Sequence, residues 1–300
     1  MKHLYLLGAL TAVTGMGALA LYFSRGGEST LTAFTSAPAP TEFVRPLPVK
    51  SCDKAYEGLI RDGTLKIVVV FGYKDARPSR FVGDRYERAV FASYLTARCQ
   101  EGWEACGFTR SVEDPDLYER VLHGTRVSLR LTHSSAGPDD DENRHDSYQA
   151  WLSKHAERTF FEGLREADIV FYNGHSRDGG GPDFRPPQLT ADKHVDYAWY
   201  IRERPQMKRL FDALESSGNH VGLFGLFSCS SSTHFLEELS NLKPDLALIT
   251  SNRLLYYSDA LSTLLGAVSA TLQKQCAEGW GKALALPDGE RPMAVRRFFE

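Results

Sequence analysis

Short apolar runs recur along the chain, and segments with helical spacing separate them. The first, residues 65–71, reads LKIVVVF, and a continuous β-branched run of this kind is typical of a strand buried on both faces of a sheet. Four further runs with strand character follow, at residues 126–131, 168–172, 220–227 and 245–250. This succession limits the chain to folds in which strands alternate with helices.

Helical spacing occupies most of the intervening sequence, at residues 85–99, 147–164, 205–216, 235–242 and 257–275. A charged stretch at 137–145 predicts a loop, and residues 292–299 predict a sixth strand at one edge. The pattern predicts an α/β three-layer sandwich, a mostly parallel central sheet of about six strands with helices on both faces. Sites in such sheets form beyond the carboxyl ends of the strands.

The N-terminal region has a different character from the rest of the chain. Residues 1–25 contain a long uncharged apolar run, which predicts a signal peptide or a membrane anchor. Residues 26–50 are rich in Ser, Thr, Ala and Pro and predict an extended linker. We therefore expect residues 51–300 to form a domain outside the cytosol, periplasmic, secreted or anchored, with the membrane as a partner if the first segment stays uncleaved.

Charge and cysteine content exclude several classes of function. The net charge of −3 provides no basic field for nucleic acid. The five cysteines show no CxxC metal pairing. We expect no cofactor and no metal.

In an oxidising compartment, four of the five cysteines could pair and one would stay free. Cys99 could bridge to nearby Cys106, and Cys52 to Cys276 across the ends of the domain, which would leave Cys229 free. The alternative is that all five are reduced and mostly buried.

A histidine and a cysteine follow two successive strands. His175 comes just after residues 168–172, and Cys229 just after residues 220–227. If these strands are neighbours, both side chains face the same crevice. An imidazole near a thiol stabilises the thiolate, which is the nucleophile. The backbone N–H groups of Cys229 and Ser176 are candidates for an oxyanion hole.

The segments DIVFYNGHS and VGLFGLFSCS resemble two motifs of the caspase-like cysteine peptidases, the group of caspases, legumain, clostripain and gingipains. The resemblance implies that His175 is the general acid/base and Cys229 the nucleophile, with a peptide or protein as substrate. The family usually has Gly where this chain has Ser176. Specificity in the family depends on charged groups in loops after the strands, which here include Lys74, Asp178, Arg253 and Asp259.

Other readings of the same segments remain open. Ser176 lies in GHSRD, which is similar to the nucleophile elbow of serine hydrolases, although Asp stands in place of the final Gly. A metal site could use His175, Asp178, Asp183 and His194, but their spacing is irregular. A non-catalytic envelope protein with the same fold is a third class.

The predicted topology has a direct test. Protease added outside a sealed cytoplasmic membrane should digest the domain, because residues 51–300 are expected to face away from the cytosol. Digestion only after that membrane has been lysed would contradict the prediction.

Overall fold

The computed structural model describes residues 51–60, 62–74, 83–216, 218 and 220–300. All of them belong to one compact unit. The predicted signal or anchor, residues 1–25, and the predicted linker, residues 26–50, lie outside the described residues. Among the residues that are described, no helix has both the length and the apolar character needed to cross a membrane.

A mixed sheet crosses the described part of the chain in the order β2-β3-β4-β1-β5-β6-β7-β8. The central pairs, from β4 through β1, β5 and β6 to β7, are all parallel. The outer pairs β2–β3, β3–β4 and β7–β8 are antiparallel. The strands are β1 (Thr64–Phe71), β2 (Thr109–Arg110), β3 (Leu117–Leu122), β4 (Thr125–His133), β5 (Ile169–Asn173), β6 (Leu223–Phe227), β7 (Ala247–Ser251) and β8 (Met293–Arg296).

Helices lie on both faces of this sheet. They are α1 (Cys52–Glu57), α2 (Asp84–Thr96), α3 (Asp140–His145), α4 (Ser147–Glu166), α5 (Tyr197–Glu203), α6 (Met207–Ser216), α7 (Ser231–Leu242), α8 (Tyr257–Leu272) and α9 (Ala277–Ala283). The three-layer α/β prediction is therefore confirmed.

Strand β1 shows why the sheet needs both helical layers. Its side chains alternate between the faces. Val69 and Phe71 join one core with Phe91 of α2 and other residues from α8. Val68 and Val70 join the opposite core with residues of α4, α6 and α7. Each fully buried side chain of this size contributes about 1.5–3 kcal/mol relative to exposure, so neither face could be left bare.

The sheet has more strands than the six expected. The two extra strands, β2 and β3, form an antiparallel extension beyond β4. Strand β3 carries Glu119 and Arg120 near its middle, and its burial is only partial. A half-solvated edge strand lacks the continuous apolar run that marks the central strands, which explains why it was missed.

The charged stretch at 137–145 is not entirely a loop, because it contains α3. The side chain of Asp139 caps this helix by accepting hydrogen bonds from the backbone N–H groups of Asp141 and Glu142. Acidic residues fill its first turn and Arg144 and His145 its last, which suits the helix dipole. The charges that predicted a loop therefore stabilise a short helix.

Two disulfides match the pairing expected for an oxidising compartment. Cys52 bonds to Cys276, and Cys99 bonds to Cys106. Cys229 is the free cysteine. The alternative of five reduced thiols is therefore wrong for this structure.

The two disulfides should differ in their effect on stability. Loop-closure entropy predicts about 5 kcal/mol for the bridge that closes a loop of 224 residues and about 2 kcal/mol for the one that closes 7. Urea unfolding of Cys52→Ser/Cys276→Ser and of Cys99→Ser/Cys106→Ser measures both losses. Equal losses, or a larger loss for the short loop, would contradict the prediction.

Candidate active site

The carboxyl ends of the parallel strands meet at one edge of the sheet. The chain places β4 on one side of β1 and then returns to place β5 on the other side. Such a reversal opens a crevice at the strand ends, where ligands of α/β sheets usually bind. The segments that follow β1, β5, β6 and β7 all leave the sheet at this edge.

The register between β5 and β6 relates His175 to Cys229. Asn173, the last residue of β5, is paired with Phe227, the last residue of β6. The N–H of Gly174 donates to the carbonyl of Phe227 at 3.3 Å, which continues the pairing past the strand ends. His175 and Cys229 each lie two residues beyond the matched pair. Side-chain alternation therefore directs both toward the same face of the sheet.

Both residues contact the start of α8 or the residues just before it. The N–H of Leu255 donates to the Cys229 sulfur at 3.4 Å, and the thiol lies 3.7 Å from the Leu255 carbonyl oxygen. The imidazole of His175 stacks edge to face with Tyr257, with ring centroids 6.3 Å apart. Contact with neighbouring residues of one segment supports their placement on the same side. Both side chains are partly exposed.

The turn after Cys229 leads directly into α7. Ser230 has the left-handed φ of 48°, and α7 begins at Ser231. The Ser231 hydroxyl donates to the Leu226 carbonyl at 2.8 Å and accepts from the N–H of Ser251 at 2.8 Å. The buried serine thus ties the end of β6 to the end of β7. It also sets Cys229 just ahead of the positive end of a helix dipole, a position that favours an anion.

Tyr172 fixes the backbone of His175. Its buried hydroxyl donates to the His175 carbonyl at 3.1 Å and accepts from the N–H of Asp183 at 2.8 Å. A Cβ atom at Gly174 would collide with this hydroxyl, and so would one at Gly72. The glycine before His175 is therefore required by internal packing.

The turn after His175 holds a buried ion pair that the sequence did not indicate. Arg177 is only 1% exposed, and its Nε donates to Asp183 at 2.7 Å. The hydroxyl of Tyr200 donates to the same carboxylate at 3.2 Å. Arg177 and Asp178 both have left-handed φ values, of 49° and 48°. Two such residues in succession cost free energy, which the buried pair offsets.

The remaining predicted site residues differ in their surroundings. Ser176 is buried and is followed by a 3₁₀ turn, Arg177–Gly179, whereas a serine-hydrolase elbow continues into an α-helix. Asp178 is exposed on that turn. Arg253 pairs with Glu290 and lies 3.8 Å from Asp259, so both of these charges proposed for specificity already have partners within the chain.

A second buried charge cluster lies beside the crevice. Lys74, three residues past β1, is 3% exposed and donates to the carboxylate of Glu87 and to Oδ1 of Asn173, the latter at 2.7 Å. Glu87, Phe91 and Leu95 are spaced four residues apart and lie on the buried side of α2. A charge within such an apolar stripe is the sequence signal that could have revealed a buried ion pair.

Candidate metal ligands are not assembled at this edge. Among the described residues, the one group of metal-ligating side chains within mutual reach is Cys99, Glu104 and Cys106. Its two sulfurs are joined in a disulfide and offer no thiolates. Asp183, which the metal alternative needs, is engaged by Arg177.

Comparisons with protein-family models, with curated proteins and with solved structures found no match to this chain.

Asp84 gives this region a measurable pH dependence. Burial raises its pKa from 3.8 to about 7, against the backbone hydrogen bonds from Ser134 and Ser135. Between about pH 4 and about pH 7, the Asp84 carboxyl is protonated in the folded protein but ionised in the unfolded chain. The contribution of Asp84 to the free energy of unfolding therefore has its full value below about pH 4 and is lost as the pH rises through about 7.

We expect Asp84 to lower the free energy of unfolding by a few kcal/mol between about pH 4.5 and about pH 8, and Asp84→Asn to abolish that contribution. Urea unfolding at the two pH values measures it. Asp192→Asn, at an exposed position, is the matched control. An unchanged pH dependence in Asp84→Asn would contradict the assignment.

Proposed function

We propose that this chain is an exported caspase-like cysteine peptidase that cleaves peptide bonds through Cys229 and His175. The observation that carries the proposal is the register of β5 and β6, which sets the two residues at equivalent positions beyond adjacent strands. The resemblance of both segments to the caspase-like motifs agrees with this placement. The two disulfides support a location outside the cytosol.

The reaction follows from the chemistry of the pair. His175 takes the thiol proton, and the Cys229 sulfur attacks the carbonyl carbon of the scissile bond. The N–H groups of Cys229 and Ser176 stabilise the resulting oxyanion. The C–N bond then breaks, and His175 gives its proton to the leaving amine. Water, deprotonated by His175, hydrolyses the thioester and restores the thiol.

The surroundings of Cys229 suit a nucleophile. Its sulfur accepts a backbone N–H from Leu255 and lies just before the N-terminus of α7. In a structural role the side chain would instead be fully buried among apolar neighbours. Cys229 is partly exposed and is the one cysteine outside a disulfide.

Point variants test the proposal. Cys229→Ala and His175→Ala should each lower kcat/KM on an unfolded protein substrate by about a thousandfold or more, because each removes a group that takes part in bond cleavage. Ser176→Ala should retain most of the activity. A peptide chloromethyl ketone should add covalently to Cys229, which mass spectrometry detects.

Other outcomes identify the alternatives. Loss of activity in Ser176→Ala but not in Cys229→Ala would replace the cysteine mechanism with a serine esterase. A folded wild-type chain that neither hydrolyses a broad peptide library nor reacts with the chloromethyl ketone would favour a non-catalytic binding protein.

A further inference from the structure

We propose that Lys74 and Tyr257 are positioning residues that hold the imidazole of His175 in its working orientation. This inference rests on the proposed function, because it assigns both residues to the same site. Neither residue contacts the reacting bond in this scheme. They act through His175, one by anchoring the strand end that carries it and the other by backing its ring.

Lys74 anchors the strand that leads to His175. Its ammonium donates to Oδ1 of Asn173 at 2.7 Å, and Asn173 is two residues before His175. The carboxylate of Glu87 holds the ammonium from the side of α2. The three side chains are each at most 3% exposed, so water does not screen their interactions.

The same ammonium fixes the ring that touches His175. Lys74 Nζ lies 4.7 Å from the centroid of the Tyr257 ring, within the range of a cation–π interaction. The Tyr257 ring in turn packs against the imidazole with an interplanar angle of 65°. An edge-to-face contact of this kind restricts rotation of the imidazole about χ2. One buried cation thus constrains both the backbone and the side chain of His175.

Stability alone does not account for the buried pair. Desolvating two charges costs free energy that their attraction seldom returns in full, and apolar replacements of similar size are often neutral or stabilising. Within the described structure, Oε1 of Glu87 and Nδ2 of Asn173 make no hydrogen bond. A network with unused polar atoms is a poor stabilising device. We therefore assign this network the role of holding His175 in position.

A role in binding acidic substrates does not fit Lys74. A specificity residue must offer its charge to the substrate, whereas the Lys74 ammonium is buried and already neutralised by Glu87. The proposed assignment therefore removes Lys74 from the charged groups that we considered for specificity.

The first test uses the alkylation of Cys229 by iodoacetamide, which needs no peptide substrate. The full chain has one free thiol for the reagent. His175→Ala should slow alkylation at neutral pH by about tenfold, because the imidazole that accepts the thiol proton is removed. Tyr257→Leu, which removes the ring, should slow it by about fivefold. The conservative variant Tyr257→Phe keeps the ring and should recover most of the rate. Tyr148→Leu, an exposed tyrosine at the start of α4, is the matched control.

The second test separates positioning from folding and from substrate binding. The double variant Lys74→Met/Glu87→Gln removes both charges and leaves no single buried ion. It should fold with a Tm near that of the wild type. On a peptide substrate, its kcat and that of Tyr257→Leu should fall about tenfold, with KM changed by less than about twofold.

Three outcomes would overturn the inference. If His175→Ala slows alkylation but Tyr257→Leu does not, the positioning role is wrong and the proposed peptidase mechanism stands. If His175→Ala leaves alkylation unchanged, the Cys–His pair and the positioning role both fail. If the double variant keeps the full kcat, the role of Lys74 is wrong.

Discussion

The pairing of β5 with β6 is the constraint on which the candidate site depends. In a parallel ladder the side chains alternate with a period of two, and a slip by one residue would turn Cys229 to the opposite face while leaving His175 in place. The slip is opposed by the apolar side chains of both strands, such as Phe171 and Phe227, which fill the same core. Hydrophobic burial therefore sets the geometry of the polar residues beyond the strand ends.

Buried charge is concentrated around this edge of the sheet. Asp84 and Glu87 enter from α2, Lys74 from the end of β1, and Arg177 with Asp183 from the turn after His175. Each of these groups gives up hydration, so the fold compensates with short ion pairs and backbone hydrogen bonds. The stability of the fold does not require these buried ion pairs next to a surface crevice. Their presence beside the candidate Cys–His pair is typical of a site in which orientation matters more than the strength of any one bond.

The sequence predicted the features that depend on local pattern. The central strands, the helices between them and the placement of His175 and Cys229 after successive strands follow from hydrophobic periodicity. The Lys74–Asn173 contact joins residues 99 positions apart, and nothing local encodes it. Strands β2 and β3 were missed because their exposed side chains break the apolar run, whereas the edge strand β8 was predicted. The helix α3 was missed because its charges look like those of a solvated loop until the Asp139 cap is considered.

The bridge between Cys52 and Cys276 makes the domain a covalent ring. Nearly the whole sheet lies within that ring, since strands β1 to β7 all fall between the two cysteines. One backbone cut anywhere in this interval leaves both fragments in a single molecule. A single proteolytic nick can therefore remodel a surface loop without shedding a piece of the domain, and the Cys–His pair stays on one covalent body after such a cut.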